Sequence, residues 1–126
     1  MPVSARDALN LWRGVLVETV RREGPDLSAR QMAVLLSVYL TPAPHTVRGL
    51  AAELGVSKPA ITRAVDRLSA LDLVRRRQDP ADRRSVLIQR TVRGSVFLSD
   101  FGDLIAGAAG ARPGATQPTP PDRIML

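Results

Sequence analysis

The chain has no cysteine and a single histidine, His45. Without thiols there is no disulfide framework, no thiol redox switch and no thiolate metal site, and one imidazole cannot assemble a histidine-based one. Aromatics are almost as scarce. Trp12, Tyr39, Phe97 and Phe101 are the whole set in 126 residues, so a core must be built from Leu, Val, Ile and Ala, a mix that favours helices. No apolar run reaches the roughly 18 residues a bilayer span needs. The start, MPVSARDALNLW, lacks the charged head, long apolar stretch and cleavage site of an export signal, so the expected location is the cytoplasm, away from membranes. Also missing are a glycine-rich phosphate loop, an HExxH pair and a paired-carboxylate motif, and no serine or cysteine partner is suggested for His45. His45 therefore reads as a loop or strand histidine, and the chain as a non-enzyme with no metal and no cofactor.

What the chain does have is positive charge in one place. The net charge is +6. Residues 46–93 hold eleven Lys or Arg against five acids, so this segment alone accounts for that excess. Localised charge of this kind is the footprint of a surface that meets a polyanion. A length of 126 residues suits one compact domain with a real core and is too short for two independent ones.

Periodicity and turn chemistry divide the chain. A first helix starts at Ser4, a plausible cap with Asp7 in its first turn, and stops before Gly24 and Pro25. Its apolar positions Ala8, Leu9, Leu11, Trp12, Val15, Leu16 and Val20 cover more than one stripe, which points to a second neighbour such as a partner subunit. SARQ from Ser28 to Gln31 reads as a capping box opening the helix QMAVLLSVYL, which ends at TPAP because proline cannot donate the next backbone bond. Two short helical patterns follow. Thr46 can cap the first, Gly55 supplies a left-handed turn, Val56 plugs the gap and Ser57 caps the second. The small Ala51 lets the two helices approach at a tight corner, the helix-turn-helix pattern.

In the second corner helix, Ile61, Ala64, Val65, Leu68 and Leu71 recur on one side. Lys58, Pro59, Thr62, Arg63, Asp66 and Arg67 are left on the other. Then LVRRRQ and SVLIQRT have strand character and are bridged by DPADRR, giving a β-hairpin with a long charged tip, a wing. A last helix over 92–110 places Val96, Phe97, Phe101, Leu104 and Ile105 to one side and closes at Gly107 and Gly110. The remainder, ARPGATQPTPPDRIML, has no helical period and reads as a flexible tail, or one that docks on a partner through its terminal IML.

From about His45 to Gly94 the chain resembles the winged-helix regulators of the multiple antibiotic resistance regulator (MarR) family. LAAELGVSKPAITRAVDRLSALDLVRRRQDPADRRS is similar to their helix-turn-helix and wing. Asp82, Arg84 and Thr91 match the wing signature Asp-x-Arg-(x)5-Leu-Thr, and Arg90 stands where the family has Leu, an inward apolar position. The resemblance implies a mainly α fold with a small β-hairpin, a winged helix-turn-helix. It also implies a homodimeric, sequence-specific DNA-binding protein, usually a repressor, often released by a small ligand. The expected organisation is one domain over 1–110: two helices in 1–44, the helix-turn-helix in 45–72, the wing in 73–91 and the C-terminal helix in 92–110, followed by the tail 111–126. The family's long final helix has no counterpart in that tail.

An α-helix fits the DNA major groove, and side chains near its start reach base edges while positive charge offsets phosphate repulsion. Thr62, Arg63 and Arg67 are placed for bases, with Lys58 and Ser57 beside Pro59 at the helix start suited to a phosphate. The bland alternative is that this is simply the solvated side of an amphipathic helix. In the wing, alternate side chains of a strand point to opposite faces, so at most two of Arg75, Arg76 and Arg77 face DNA together; Arg75 and Arg77 form that pair. At the tip, the matched Arg84 would enter the minor groove with Arg83 beside it, and Asp82 would pair with a neighbouring arginine to hold the tip in shape. Charge that merely guards a sheet edge explains a few of these arginines but not five in residues 75–85. The competing function is a winged-helix protein-interaction module with an atypical or absent dimer interface.

Overall fold

The computed structural model describes residues 4–110, so the expectation for the proline-rich segment 111–126 lies outside them. The described residues form α1 (Ala5–Arg21), α2 (Ala29–Leu40), α3 (Val47–Leu54), α4 (Lys58–Ala70), β1 (Val74–Gln78), β2 (Val86–Arg90) and α5 (Val92–Gly110). This is the expected mainly α winged helix-turn-helix. Residues 4–26 and 98–110 make one compact unit and 27–97 the other. None of the described helices is long and apolar enough to cross a membrane.

The helix starts follow from local hydrogen bonding. Each helix leaves its first amides without partners, and a side-chain oxygen at the cap satisfies one of them. Ser4 accepts from the Asp7 amide at 3.1 Å, Thr46 from Gly49 at 3.0 Å and Ser57 from Ala60 at 3.2 Å. Ser28 and Gln31 complete the capping box reciprocally, at 3.1 and 2.9 Å. Gly55, with φ 66°, ends α3 in the left-handed region, and the Val56 amide then reaches back to the Ala51 carbonyl at 3.1 Å. That single turn separates α3 from the cap of α4. Pro59 falls in the first turn of α4, where no backbone bond is lost.

The core of the 27–97 unit is aliphatic, as the shortage of aromatics requires. Val34, Leu35 and Val38 of α2, Leu50 of α3, and Ile61, Val65 and Leu68 of α4 are fully or almost fully buried, with Val74 and Ile88 closing the core from the hairpin. β1 and β2 pair antiparallel with Val74 opposite Arg90 and Gln78 opposite Val86. An isolated bridge from Thr46 to Leu87, and a 2.8 Å bond from the Ile88 amide to the His45 carbonyl, tie the base of the hairpin to the lead into α3.

A polar knot sits beside this core. The Tyr39 hydroxyl donates to the Leu73 carbonyl at 2.7 Å and accepts from the Thr91 amide at 2.8 Å. Thr91 Oγ1 in turn accepts from the Gly94 amide at 2.9 Å, opening α5, and donates to the Asp72 carbonyl at 2.7 Å. Gly94 packs so closely that a Cβ there would lie 1.9 Å from the Tyr39 hydroxyl and 2.2 Å from the Leu73 carbonyl, so the position admits only glycine.

In the other unit, Val15 of α1 and Leu98 and Leu104 of α5 are buried, and a Cβ added at Gly14 would meet the Ala108 Cβ at 3.8 Å, ordinary van der Waals contact. One expectation for α5 is corrected. Val96 is 54% exposed whereas Leu98, two residues on, is buried, because the inward stripe runs through Gly94, Leu98 and Leu104. The helix ends at Gly110, as expected, and passes through Gly107 without a break.

Candidate nucleic-acid interface

α4 separates its two sides cleanly. Ala60, Ile61, Ala64, Val65 and Leu68 are buried, while Ser57, Lys58, Pro59, Thr62, Arg63, Asp66 and Arg67 are all exposed. The helix therefore presents one uninterrupted polar face, and the structure brings together every residue predicted for it. Ser57 spends its hydroxyl on the cap. Lys58, Arg63 and Arg67 make no salt bridge among the described residues, whereas Asp66 is engaged: Arg76 of β1 donates to its carboxylate and also reaches the Thr62 carbonyl at 3.4 Å. Neutralising Asp66 from the side leaves the outward charge of this face positive.

The register of the hairpin decides which arginine does this. Residues opposite one another across antiparallel strands share a face, so Arg76 lies with Ile88 on the side of α4, and Arg75 and Arg77 lie with Gln89 and Leu87 on the reverse. Arg75 and Arg77 thus share one face of β1, opposite to that of Arg76. The tie that Arg76 makes between α4 and the wing had only a faint signal in the sequence: an acid ten residues upstream, on a different element.

At the tip the two aspartates hold the backbone. Asp79 Oδ1 accepts from the Ala81 amide at 2.9 Å, and Asp82 Oδ1 accepts from the Arg84 amide at 3.0 Å while Oδ2 accepts from the Ser85 hydroxyl at 3.2 Å. The Ser85 amide returns to the Asp82 carbonyl at 2.9 Å, so Arg83 and Arg84 are the two central residues of a tight turn. Gln78 Nε2 braces that turn by donating to the Arg83 carbonyl at 2.9 Å. The expectation that Asp82 pairs with an arginine side chain is corrected: an acceptor this close to free turn amides is satisfied locally. Both arginines consequently remain exposed and without a carboxylate partner among the described residues.

Arg90 is the second departure from expectation. It is not a charged intruder at an apolar position. Its Nε donates to the Val38 carbonyl at 3.0 Å and a terminal nitrogen to the Thr41 carbonyl at 3.4 Å, and its guanidinium lies 5.7 Å from the centre of the Tyr39 ring. The carbonyls at the end of α2 lack helical partners and carry the negative end of the helix dipole, which suits a cation. Arg90 thus stays in register opposite Val74 and caps α2 from the wing. His45, buried, bonds through Nε2 to the Thr41 carbonyl at 3.1 Å, which fits the reading of a structural histidine.

A helix-turn-helix of α3 and α4, a two-stranded wing and a following helix define the class: a winged helix-turn-helix protein. The family model described as MarR family matches residues 26–85. The solved structure of the transcriptional regulator BldR from Sulfolobus solfataricus is 31% identical, covering 81% of this chain and 73% of that one, with a TM-score of 0.58. Mutant MarR from E. coli complexed with operator DNA is 28% identical over 80% of this chain and 66% of that one, with a TM-score of 0.63. A transcriptional regulator from Thermotoga maritima is 26% identical over 79% of this chain, which spans 64% of that protein's length, with a TM-score of 0.62. No curated protein matches. The chain belongs to the MarR family.

Proposed function

We propose that this protein is a sequence-specific DNA-binding transcriptional regulator, a ligand-responsive repressor that binds an inverted repeat as a homodimer. The observation that carries the reading is the exposed face of α4, where Thr62, Arg63 and Arg67 stand free beside Lys58 at a capped helix start. Such a helix fits the major groove, arginine can bond guanine O6 and N7 in bidentate fashion, and the helix start suits a phosphate. Arg83 and Arg84, held at a braced turn, are the groups for the minor groove and backbone, with Arg75 and Arg77 along the strand as further contacts. The operator complex of the E. coli relative supports this assignment.

Dimerisation is supported by α1. Leu9, Trp12, Leu16 and Val20 recur at helical spacing and are 69%, 51%, 46% and 78% exposed, a continuous apolar stripe that a second copy would cover. Residues 1–110 would act as one winged helix-turn-helix domain, and two of them would place their α4 helices on related half-sites. The test is duplex binding against salt together with sizing by light scattering. A dimer is expected whose log affinity falls linearly with log salt, by about 0.9 for each phosphate neutralised. A monomer at micromolar concentration, with weak and salt-independent binding, would favour a protein-interaction module instead.

A further inference from the structure

α1 and α5 leave a groove of about 630 Å³ between them, and nothing in the function proposed above uses it. Its floor is short of bulky side chains, with Gly14 and Val17 on α1 and Leu104, Gly107 and Ala108 on α5. A Cβ added at Gly107 would meet no atom within 4 Å, so that part of the floor is open space. The α1 wall is distinct from the bare apolar stripe of the same helix: at helical spacing, Gly14, Val17 and Arg21 are turned about a third of a revolution from Leu9, Trp12, Leu16 and Val20.

The rim carries charges of both signs. Arg21 pairs with Glu18 at 3.4 Å. Arg13 and Arg22 have no carboxylate partner, and Asp103 has no cationic one, among the described residues. A matching occupant offers large apolar side chains next to an acid and a base. The sequence after α5 holds one such group, Asp122-Arg123-Ile124-Met125-Leu126. Asp122 is the only acid beyond Gly110, and Ile124, Met125 and Leu126 are the only large aliphatic side chains there.

The tether fits as well. α5 ends at Gly110, within one turn of the floor residues Gly107 and Ala108. Residues 111–121 reach at most about 34 Å at the polyproline rise of about 3.1 Å per residue, whereas α1 from Arg13 to Arg22 covers only about 14 Å. A short tether gives an effective concentration on the order of millimolar, so a weak intrinsic contact is enough to keep the groove filled.

We propose that residues 122–126 seat in the α1–α5 groove of their own chain, with Ile124 and Leu126 over the glycine floor between Val17 and Leu104, Asp122 beside Arg13 and Arg22, and Arg123 toward Asp103. The apolar stripe of α1 stays uncovered for a second copy. The seating does not depend on DNA recognition.

The test compares amide chemical shifts of the full chain with those of the double variant Ile124→Asp, Leu126→Asp. Differences confined to residues 13–22 and 103–108, far in sequence from both substitutions, are expected. The lack of native cysteine allows a second readout, because Thr119→Cys supplies a single attachment point for a spin label. The label should erase the amide signals of residues 13–22 in its own chain. The aspartate pair should restore them, as should Gly107→Gln, which fills the floor. In a mixture of spin-labelled chains with label-free, nitrogen-15-enriched chains, the enriched chains should keep these signals. The proposal is overturned by absent shift differences, by differences centred on Leu9, Trp12, Leu16 and Val20 or on α4, by signal loss that survives the substitutions, or by loss in the mixed sample, which would seat the segment on a second copy. Should Gly107→Gln fail to fold, the aspartate pair, lying beyond α5, decides alone.

Discussion

α4 and α1 each bury one side and leave the other bare, but the two bare sides are opposites. That of α4 carries Lys58, Thr62, Arg63 and Arg67, that of α1 Leu9, Trp12, Leu16 and Val20. Cations in water lose little by being exposed, and they gain when a polyanion's condensed counterions are released. A stripe of large apolar side chains is different, because water disfavours it at every moment it stays uncovered. Under the function proposed above, the contrast matches nucleic acid to α4 and a second copy of the chain to α1. It also makes their roles separable by mutation.

The largest effect should come from breaking the α1 side. Trp12→Glu combined with Leu16→Glu places charge on exposed positions, so the helical circular dichroism should persist while light scattering reports monomers. Affinity for an inverted repeat should fall by roughly 100-fold or more, as linked half-sites become independent ones. Next is the α4 side. Arg63→Ala should leave the dimer intact and cost about 1–3 kcal/mol on the preferred duplex, with preference relaxed at one base pair. Equal losses on specific and random DNA would remove Arg63 from base reading. Arg84→Ala should weaken binding across all sequences and flatten the log-log salt slope by about 0.9, measured by fluorescence anisotropy. The smallest effect belongs to Arg76→Met, which cuts the tie to Asp66. Denaturant unfolding should register less than about 1 kcal/mol, since both partners are substantially exposed.

The same contrast explains how much was legible in the sequence. Periodicity alone separates Ile61, Ala64, Val65 and Leu68 from Thr62, Arg63 and Arg67, and cap chemistry alone sets Ser4, Ser28, Thr46 and Ser57 at their helix starts. These are local properties, written within a few residues. What stayed hidden depends on partners distant along the chain. Arg76 finds Asp66 only once α4 and β1 pack, and Arg90 finds the end of α2 across some fifty residues, its bond to Val38 spanning 52. The Tyr39 knot also joins segments far apart, and the need for glycine at 94 shows only once the hydroxyl is placed beside it. Asp82 was misread for the opposite reason. Its partners are its nearest neighbours, and turn amides outcompete flexible guanidinium groups for its oxygens.

The claim on which the rest depends is that the bare face of α4 reads base edges. Selection of bound duplexes from a random pool at physiological salt, run in parallel with wild type and Arg63→Ala, tests it most directly. The account predicts that wild type enriches an inverted repeat, with half-sites spaced by about one helical turn, and that the variant loses preference at a symmetric pair of positions within it. A pool that stays random for wild type, or an identical enriched motif for both proteins, would contradict it.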